Sequence, residues 1–165
     1  MANFLKILMA LTLGLMAFSA SAESTDIRIQ NPWVRAAPPN VSVLAAYLEI
    51  KNDGGKPRIL NRVSSPAFDQ AGIHQTVMHE NMARMEHMME LTIPPHASVE
   101  LKPGGMHLML MAAKKPVQLG DQIPITLTFK DGKKITFAAT VRASQMEGME
   151  HQQHMDHSGH GSHKP

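Results

Sequence analysis

The chain contains no cysteine, which excludes disulfide frameworks, thiolate metal sites, cysteine nucleophiles and iron–sulfur clusters held by cysteine. Aromatic residues make up only 4% of its 165 residues, so stacking against nucleobases or sugars is not expected to be its mode of binding. It also lacks an excess of one charge, since 16 Lys and Arg against 14 Asp and Glu give a formal net charge of +2. A nucleic-acid-binding protein would need a concentrated basic surface, so no nucleic-acid partner is predicted.

Methionine and histidine are abundant instead, with 14 Met and 10 His. They are the soft and borderline metal ligands that remain to a protein without cysteine. Thioether sulfur is a poor ligand for Zn²⁺, Mg²⁺ or Ca²⁺ but suits Cu(I), whereas imidazole also suits Cu(II), the most strongly bound of the first-row divalent ions. The composition therefore favours copper as the metal.

The first 22 residues have the pattern of a secretory signal peptide. Lys6 supplies a positive charge, and residues 7–18 form an apolar run that is too short to span a membrane comfortably. Ala20-Ser21-Ala22 matches the small-residue cleavage pattern. We therefore expect cleavage after Ala22 and export to the periplasm, with no stable membrane insertion afterwards. An N-terminal membrane anchor is the alternative, and no cysteine stands at the cleavage point to carry a lipid.

Residues 23–145 are predicted to form an all-β domain. Short apolar or alternating stretches recur between turn signals such as Asn52-Asp53-Gly54-Gly55, Pro103-Gly104-Gly105 and Asp131-Gly132. Several prolines in the same region disfavour long helices. The predicted strands are 43–50, 59–63, 73–78, 99–101, 106–111, 123–129 and 134–141. Short strands at this spacing suggest a two-sheet sandwich or a small barrel.

The C-terminal segment, residues 146–165, differs in composition from the rest. It contains no Leu, Ile, Val or aromatic residue, so it cannot bury enough apolar surface to fold alone. Histidine recurs at every third position, and in an extended chain this period lines one face. We expect a flexible tail that binds additional copper, Cu(II) or Cu(I), through Met146, Met149, His151, His154, Met155, His157, His160 and His163.

A His-x-Met pair lies on one of the predicted strands. Residues two apart in a strand point to the same face, so His107 and Met109 project together. Such a pair is ordinary by itself, because Met often fills a core. The upstream segment Ile73–Met89 supplies further potential ligands, since it combines many Met and His residues with polar neighbours that imply exposure. Within it, ten residues separate His74 from Met85, and 21 more separate Met85 from His107.

The complete pattern H-x10-M-x21-H-x-M resembles the periplasmic copper chaperone family called PCuAC. Other stretches are similar to that family as well, and the similarity covers nearly all of residues 27–141. They include Asn31-Pro32-Trp33-Val34-Arg35-Ala36, Leu101-Lys102-Pro103-Gly104-Gly105 and His107-Leu108-Met109-Leu110-Met111. The resemblance implies a cupredoxin-like Greek-key β-sandwich with one solvent-accessible Cu(I) bound by two His and two Met. Carried over position by position, the ligands are His74, Met85, His107 and Met109.

The resemblance also implies a function and a partner. The protein would bind Cu(I) and deliver it to the copper sites of cytochrome c oxidase, with oxidase subunit II or another periplasmic copper chaperone as the acceptor. The tail would raise the local copper concentration at the main site. Five more potential ligands lie near that site, and substitution by one of them stays open: Met78, His79, Met82, His87 and Met88.

Three other functions compete with a copper carrier. A copper oxidase or monooxygenase would need several His ligands or a Cys, and no Ser-His-Asp or paired-carboxylate motif is evident, so the protein is predicted not to be an enzyme. A periplasmic copper buffer without a dedicated acceptor, or a zinc or nickel scavenger, would depend on the tail. A structural β-sandwich would have no Cu(I) affinity and would tolerate Met109→Ala.

Overall fold

A computed structural model describes residues 26–38, 41–80 and 82–143 of the chain. All regular secondary structure within these ranges is β-strand, which confirms the all-β prediction. No helix in the described part is long and apolar enough to cross a membrane. The predicted signal peptide, residues 1–22, and the predicted metal-binding tail, residues 146–165, lie outside the described residues.

Ten strands follow one another along the chain. They are β1 Ile27–Arg35, β2 Val43–Asn52, β3 Arg58–Ser64, β4 Phe68–His79, β5 Met82–Met88, β6 Leu91–Ile93, β7 Ala97–Leu101, β8 Met106–Ala113, β9 Gln122–Phe129 and β10 Lys134–Arg142. Every strand predicted from the sequence is present. Strands β1, β5 and β6 were not predicted from the sequence. β5 is exposed along nearly its whole length and shows no apolar alternation, so it carries no strand signal.

The strands form one hydrogen-bonded order, β5-β4-β8-β2-β1-β10-β9-β3-β6. Neighbouring strands are antiparallel except for β1 and β10, which pair in parallel with Trp33 opposite Thr140. β7 and β8 both pair with β2, one after the other, and the turn between them contains Pro103-Gly104-Gly105. The two halves of this order face each other across one apolar core, as in a Greek-key β-sandwich of the cupredoxin type.

The core draws on both halves of the strand order. Ile50 and Leu108 come from the first half, and Leu60 and Leu127 come from the second; all four are fully buried. Burying a side chain of this size stabilises the fold by about 1.5–3 kcal/mol relative to leaving it in water. Because alternate residues of each strand enter the core, the residues between them form the outer face of the sheet.

A β-bulge in β1 changes which residues of that strand face the core. The register with β2 shifts between Gln30 and Trp33, and Asn31 adopts a left-handed φ of 49°. Before the bulge the odd-numbered Ile27 faces the core, and after it the even-numbered Val34 does. The bulge therefore exchanges the inward-facing and outward-facing positions of β1. The bulge thereby leaves Trp33 on the outer face, where it lies opposite Tyr47 of β2.

Asn52 connects the end of β2 to two loops through its buried amide. Its Nδ2 donates hydrogen bonds to the carbonyl oxygens of Lys56 at 2.8 Å, Ile93 at 3.2 Å and Pro94 at 3.1 Å. Its Oδ1 accepts a hydrogen bond from the backbone N–H of Gly54 at 3.0 Å. One fully buried side chain therefore satisfies backbone groups from two loops.

We expect Asn52→Ala to lower the free energy of unfolding by about 2 kcal/mol, because it leaves buried backbone groups without partners. Urea denaturation followed by circular dichroism measures this change. Asn61→Ala is the control, since Asn61 is exposed on β3, and it should change the stability by less than about 0.5 kcal/mol. Equal unfolding midpoints for the two variants would contradict the structural role of Asn52.

Candidate metal centre

The two predicted histidine ligands lie directly opposite each other on neighbouring strands. β4 and β8 pair so that His74 stands across from His107, and their ring centroids are 6.1 Å apart with the ring planes 24° from parallel. Their chain neighbours Ile73 and Leu108 are buried in the core, so both imidazoles belong to the outer face of the sheet. The register of β4 against β8 therefore creates the imidazole pair.

The two predicted methionine ligands lie on either side of this pair on the same face. Met85 of β5 stands opposite Thr76, two residues beyond His74 toward the end of β4. Met109 of β8 stands opposite Gly72, two residues before His74. All four predicted ligands thus occupy the outer face of three adjacent strands, β5, β4 and β8.

A cavity of about 430 Å³ lies beside the imidazole pair. Its lining includes Arg35, Tyr47, Thr76, Met85, Gly104 and His107. Met85 of β5 and His107 of β8 line the same cavity although β4 lies between their strands. Met109 does not line this cavity and lies on the far side of the imidazole pair.

His107 is held in one ring orientation by the backbone. Its Nδ1 lies 3.1 Å from the carbonyl oxygen of Gly105, and the residue is only 4% exposed. When Nδ1–H donates to this oxygen, Nε2 keeps its lone pair and is the nitrogen available to a metal ion. The same Gly105 carbonyl accepts a hydrogen bond from the backbone N–H of Thr76 at 3.2 Å, which ties the turn to β4.

His74 carries a buried nitrogen without a protein partner. Its Nδ1 has no hydrogen-bond partner among the described residues. Burial lowers the pKa of His74, and the neighbouring His87 and, to a smaller extent, His107 lower it further, whereas the backbone of Gly72 opposes the shift. The lowered pKa favours the neutral ring, which is the form that binds a metal ion.

Gly72 provides the space that two of the imidazoles occupy. A Cβ at this position would lie 3.1 Å from Cε1 and 3.3 Å from Nδ1 of His87, and 3.4 Å from Cε1 of His74. The two rings meet edge to face, with their centroids 4.9 Å apart. His87 was foreseen only as one of several substitutes, and the structure places it directly opposite His74 on β5.

The imidazoles belong to a longer row of rings across the outer face. His107 is followed by Tyr47 at a centroid distance of 6.4 Å, and Tyr47 by Trp33 at 4.7 Å. Burial raises the pKa of the Tyr47 phenol, and the nearby charge of Arg35 partly offsets this effect. The aromatic part of the row packs beside His107 and restricts the movement of its ring.

Histidines and carboxylates alone do not build a metal site here. Among the described residues, no three His, Asp or Glu side chains converge closely enough to hold a metal ion. The imidazoles and thioethers that share this face are a donor set that suits a soft ion such as Cu(I). Of the other methionines of this region, Met78, Met82 and Met89 are exposed, whereas Met88 is half-buried against the core.

Comparison with known proteins identifies a matching family and relatives that are similar in sequence. The family described as "Putative lipoprotein LpqE-like" matches residues 27–141. "Putative lipoprotein Lxx21020" of Leifsonia xyli subsp. xyli is 31% identical over 121 residues, which cover 73% of this chain and 72% of that protein. "Uncharacterized protein RP573" of Rickettsia prowazekii is 29% identical over 109 residues, which cover 64% of this chain and 60% of that protein.

Solved structures share the fold. The copper-bound PCuAC domain from PmoF2 superposes with a TM-score of 0.61 at 26% identity, covering 72% of this chain and 94% of that domain. The Cu(I) form of DR1885 from Deinococcus radiodurans superposes with a TM-score of 0.60 at 32% identity, covering 78% of this chain and 87% of that protein. The sequence and the fold together show that this chain belongs to the LpqE-like family and carries the PCuAC domain.

Proposed function

We propose that this protein is a periplasmic copper chaperone that binds one Cu(I) through His74, Met85, His107 and Met109. The observation that carries the proposal is the pair of facing imidazoles on the outer face, flanked by a thioether on each side. The proposed donor atoms are Nδ1 of His74, which has no hydrogen-bond partner among the described residues, and Nε2 of His107, whose other ring nitrogen faces the Gly105 carbonyl. Solved relatives that hold copper, including Cu(I), support the choice of metal.

The donor set suits an ion that must be bound and then released. Imidazole and thioether are neutral ligands, so copper binds to them without the loss of a proton from sulfur. They can exchange one at a time with the ligands of an acceptor protein. His107 is nearly buried while Met85 is 63% exposed, so the site has one ligand anchored in the fold and one facing solvent. Copper is cargo in this proposal and the protein is not an enzyme.

The proposed acceptor is a copper site of cytochrome c oxidase, reached through oxidase subunit II or another periplasmic copper chaperone. Delivery there requires export, and the relative from Leifsonia xyli, named a lipoprotein, supports it. The 165 residues of this chain contain no cysteine to carry a thioether-linked lipid, so we propose cleavage after Ala22 rather than lipid attachment at that point. The tail, residues 146–165, is proposed to bind additional copper, chiefly Cu(II).

We expect the chain from Glu23 to Pro165 to bind one tight equivalent of Cu(I). The substitution Met109→Leu should weaken that binding by about tenfold or more, which corresponds to about 1.4 kcal/mol. Leucine conserves volume but cannot bond to copper, so the fold is retained. Anaerobic competition against a chromophoric Cu(I) chelator measures the affinity. Met111→Leu, two residues along the same strand, is the control. No tight equivalent in the parent chain would overturn the chaperone proposal, and equal affinities would remove Met109 from the ligand set.

Truncation after Gln145 separates a chaperone from a tail-dependent copper buffer. The last core residue in the described part of the chain is Val141, so the shortened chain should keep its fold and its tight Cu(I) equivalent. It should lose the additional Cu(II) equivalents, which isothermal titration of both chains with Cu(II) and Cu(I) would show. If the tight Cu(I) equivalent disappears with the tail, the buffer is the better description.

Gly72→Ala should weaken Cu(I) binding by about tenfold, because the new methyl group would press on the rings of His87 and His74 and thereby shift His74, a proposed ligand. The same competition titration applies, with thermal unfolding to compare stability. Gly55→Ala is the control, because a Cβ there meets only Nε2 of His96 at an ordinary 3.9 Å. Unchanged affinity in Gly72→Ala would show that the close imidazoles are not needed for copper.

A further inference from the structure

Exposure differs sharply among the proposed ligands. His107 is 4% exposed and His74 is half-buried, whereas Met85 is 63% exposed. Met85 is therefore the proposed ligand most accessible to an incoming or outgoing copper ion. Among the described strands, β5 lies at the edge of the sheet and pairs with β4 alone, so ligands from another molecule can approach from that side.

The pairing of β4 with β5 places a second thioether, that of Met78, next to Met85 and farther from the imidazoles. Met85 stands opposite Thr76 of β4, and Met78 is two residues beyond Thr76 on the same face. Met78 and Met85 are therefore diagonal cross-strand neighbours, about 7–8 Å apart at their backbones and within reach of each other's long side chains. The residue directly opposite Met78 is Ala83, whose side chain is a single methyl group.

No packing reason accounts for Met78. It is 70% exposed, beyond the buried part of β4, and an apolar side chain gains little there from the hydrophobic effect. Its thioether is chemically the same ligand as that of Met85. A line on one face thus runs from two exposed thioethers, first Met78 and then Met85, to the half-buried His74 and the buried His107.

We propose that Met78 is a relay ligand, which takes Cu(I) from a donor or passes it to an acceptor at the tip of the β4–β5 hairpin while Met85 still holds the ion. This inference rests on the proposed function and adds a residue outside its ligand set. In release, a bond forms between the Met78 sulfur and copper as the bonds to the imidazoles break. Copper stays Cu(I) throughout, and no electron or proton moves because the thioethers and imidazoles are neutral.

Met82 provides a matched comparison on the same hairpin. It is 55% exposed and lies close to the tip, but it stands opposite His79 on the other face of the two strands. A general effect of exposed thioethers would involve Met82 as much as Met78. A relay that depends on the line toward Met85 involves Met78 alone.

The test measures affinity and transfer rate separately, in the chain from Glu23 to Pro165. In stopped-flow transfer of Cu(I) to a chromophoric chelator, Met78→Leu should slow transfer by roughly fivefold. The equilibrium Cu(I) affinity of this variant should stay within about twofold of the parent's. Because affinity is the ratio of the loading rate to the release rate, loading must then slow by about the same factor as release. Met82→Leu should change neither quantity. As a second readout, substoichiometric Ag(I), a redox-inert soft ion, should shift the Met78 methyl resonance in NMR spectra but not that of Met82.

Results that contradict the relay can be told apart from a result that contradicts the proposed function. Equal transfer rates in Met78→Leu and the parent chain would overturn the relay. A tenfold loss of affinity would also overturn it, because Met78 would then be a resident ligand. Equal slowing by Met82→Leu would replace a directed relay with a general thioether effect. Absence of tight Cu(I) binding in the parent chain would instead mark failure of the proposed function.

Discussion

The antiparallel pairing of β4 with β8 is the interaction on which the candidate metal centre depends. It sets His74 opposite His107, and the neighbouring residues Ile73 and Leu108 hold that register by filling the core. Side chains alternate between the two faces of a sheet, so a slip of one residue would turn an imidazole inward and expose an apolar side chain. The same apolar contacts that stabilise the sandwich therefore also position the ligands.

Two glycines adapt this framework to metal binding. Gly72 leaves space for imidazoles that would otherwise clash, and the carbonyl of Gly105 orients the His107 ring. The row of rings through Tyr47 supports His107 from the other side. The fold tolerates a buried, unpartnered nitrogen on His74, which costs stability in the absence of a ligand. Such a cost is expected at a site that is prepared for an ion before the ion arrives.

The chemistry of release follows from the absence of cysteine and from the gradient of exposure. Thiolates would hold copper as charged ligands, whereas imidazole and thioether release it without taking up charge. In the proposed chaperone, burial of His107 would retain the ion and exposure of Met85 would give an acceptor access to it. With Met78 as the proposed relay at the end of the hairpin, binding strength and exchange rate would depend on different residues of one face.

The sequence by itself determined the strands with apolar alternation, the pairing of His107 with Met109 on one face, and the soft donor set. These depend on short-range periodicity and composition, which a single chain displays directly. Tertiary structure alone decided that β5 is a strand, because its exposed residues carry no periodic signal and its place depends on pairing with β4. It also decided that His87 meets His74 beside Gly72, and that Met85 shares a cavity with His107 while Met109 lies beyond the imidazole pair. The contact of His87 with His74 follows from the register of the β4–β5 hairpin, whereas the positions of Met85 and Met109 relative to His107 depend also on the register of β4 against β8, which are distant in sequence. That register is set by packing of the core and not by a local pattern.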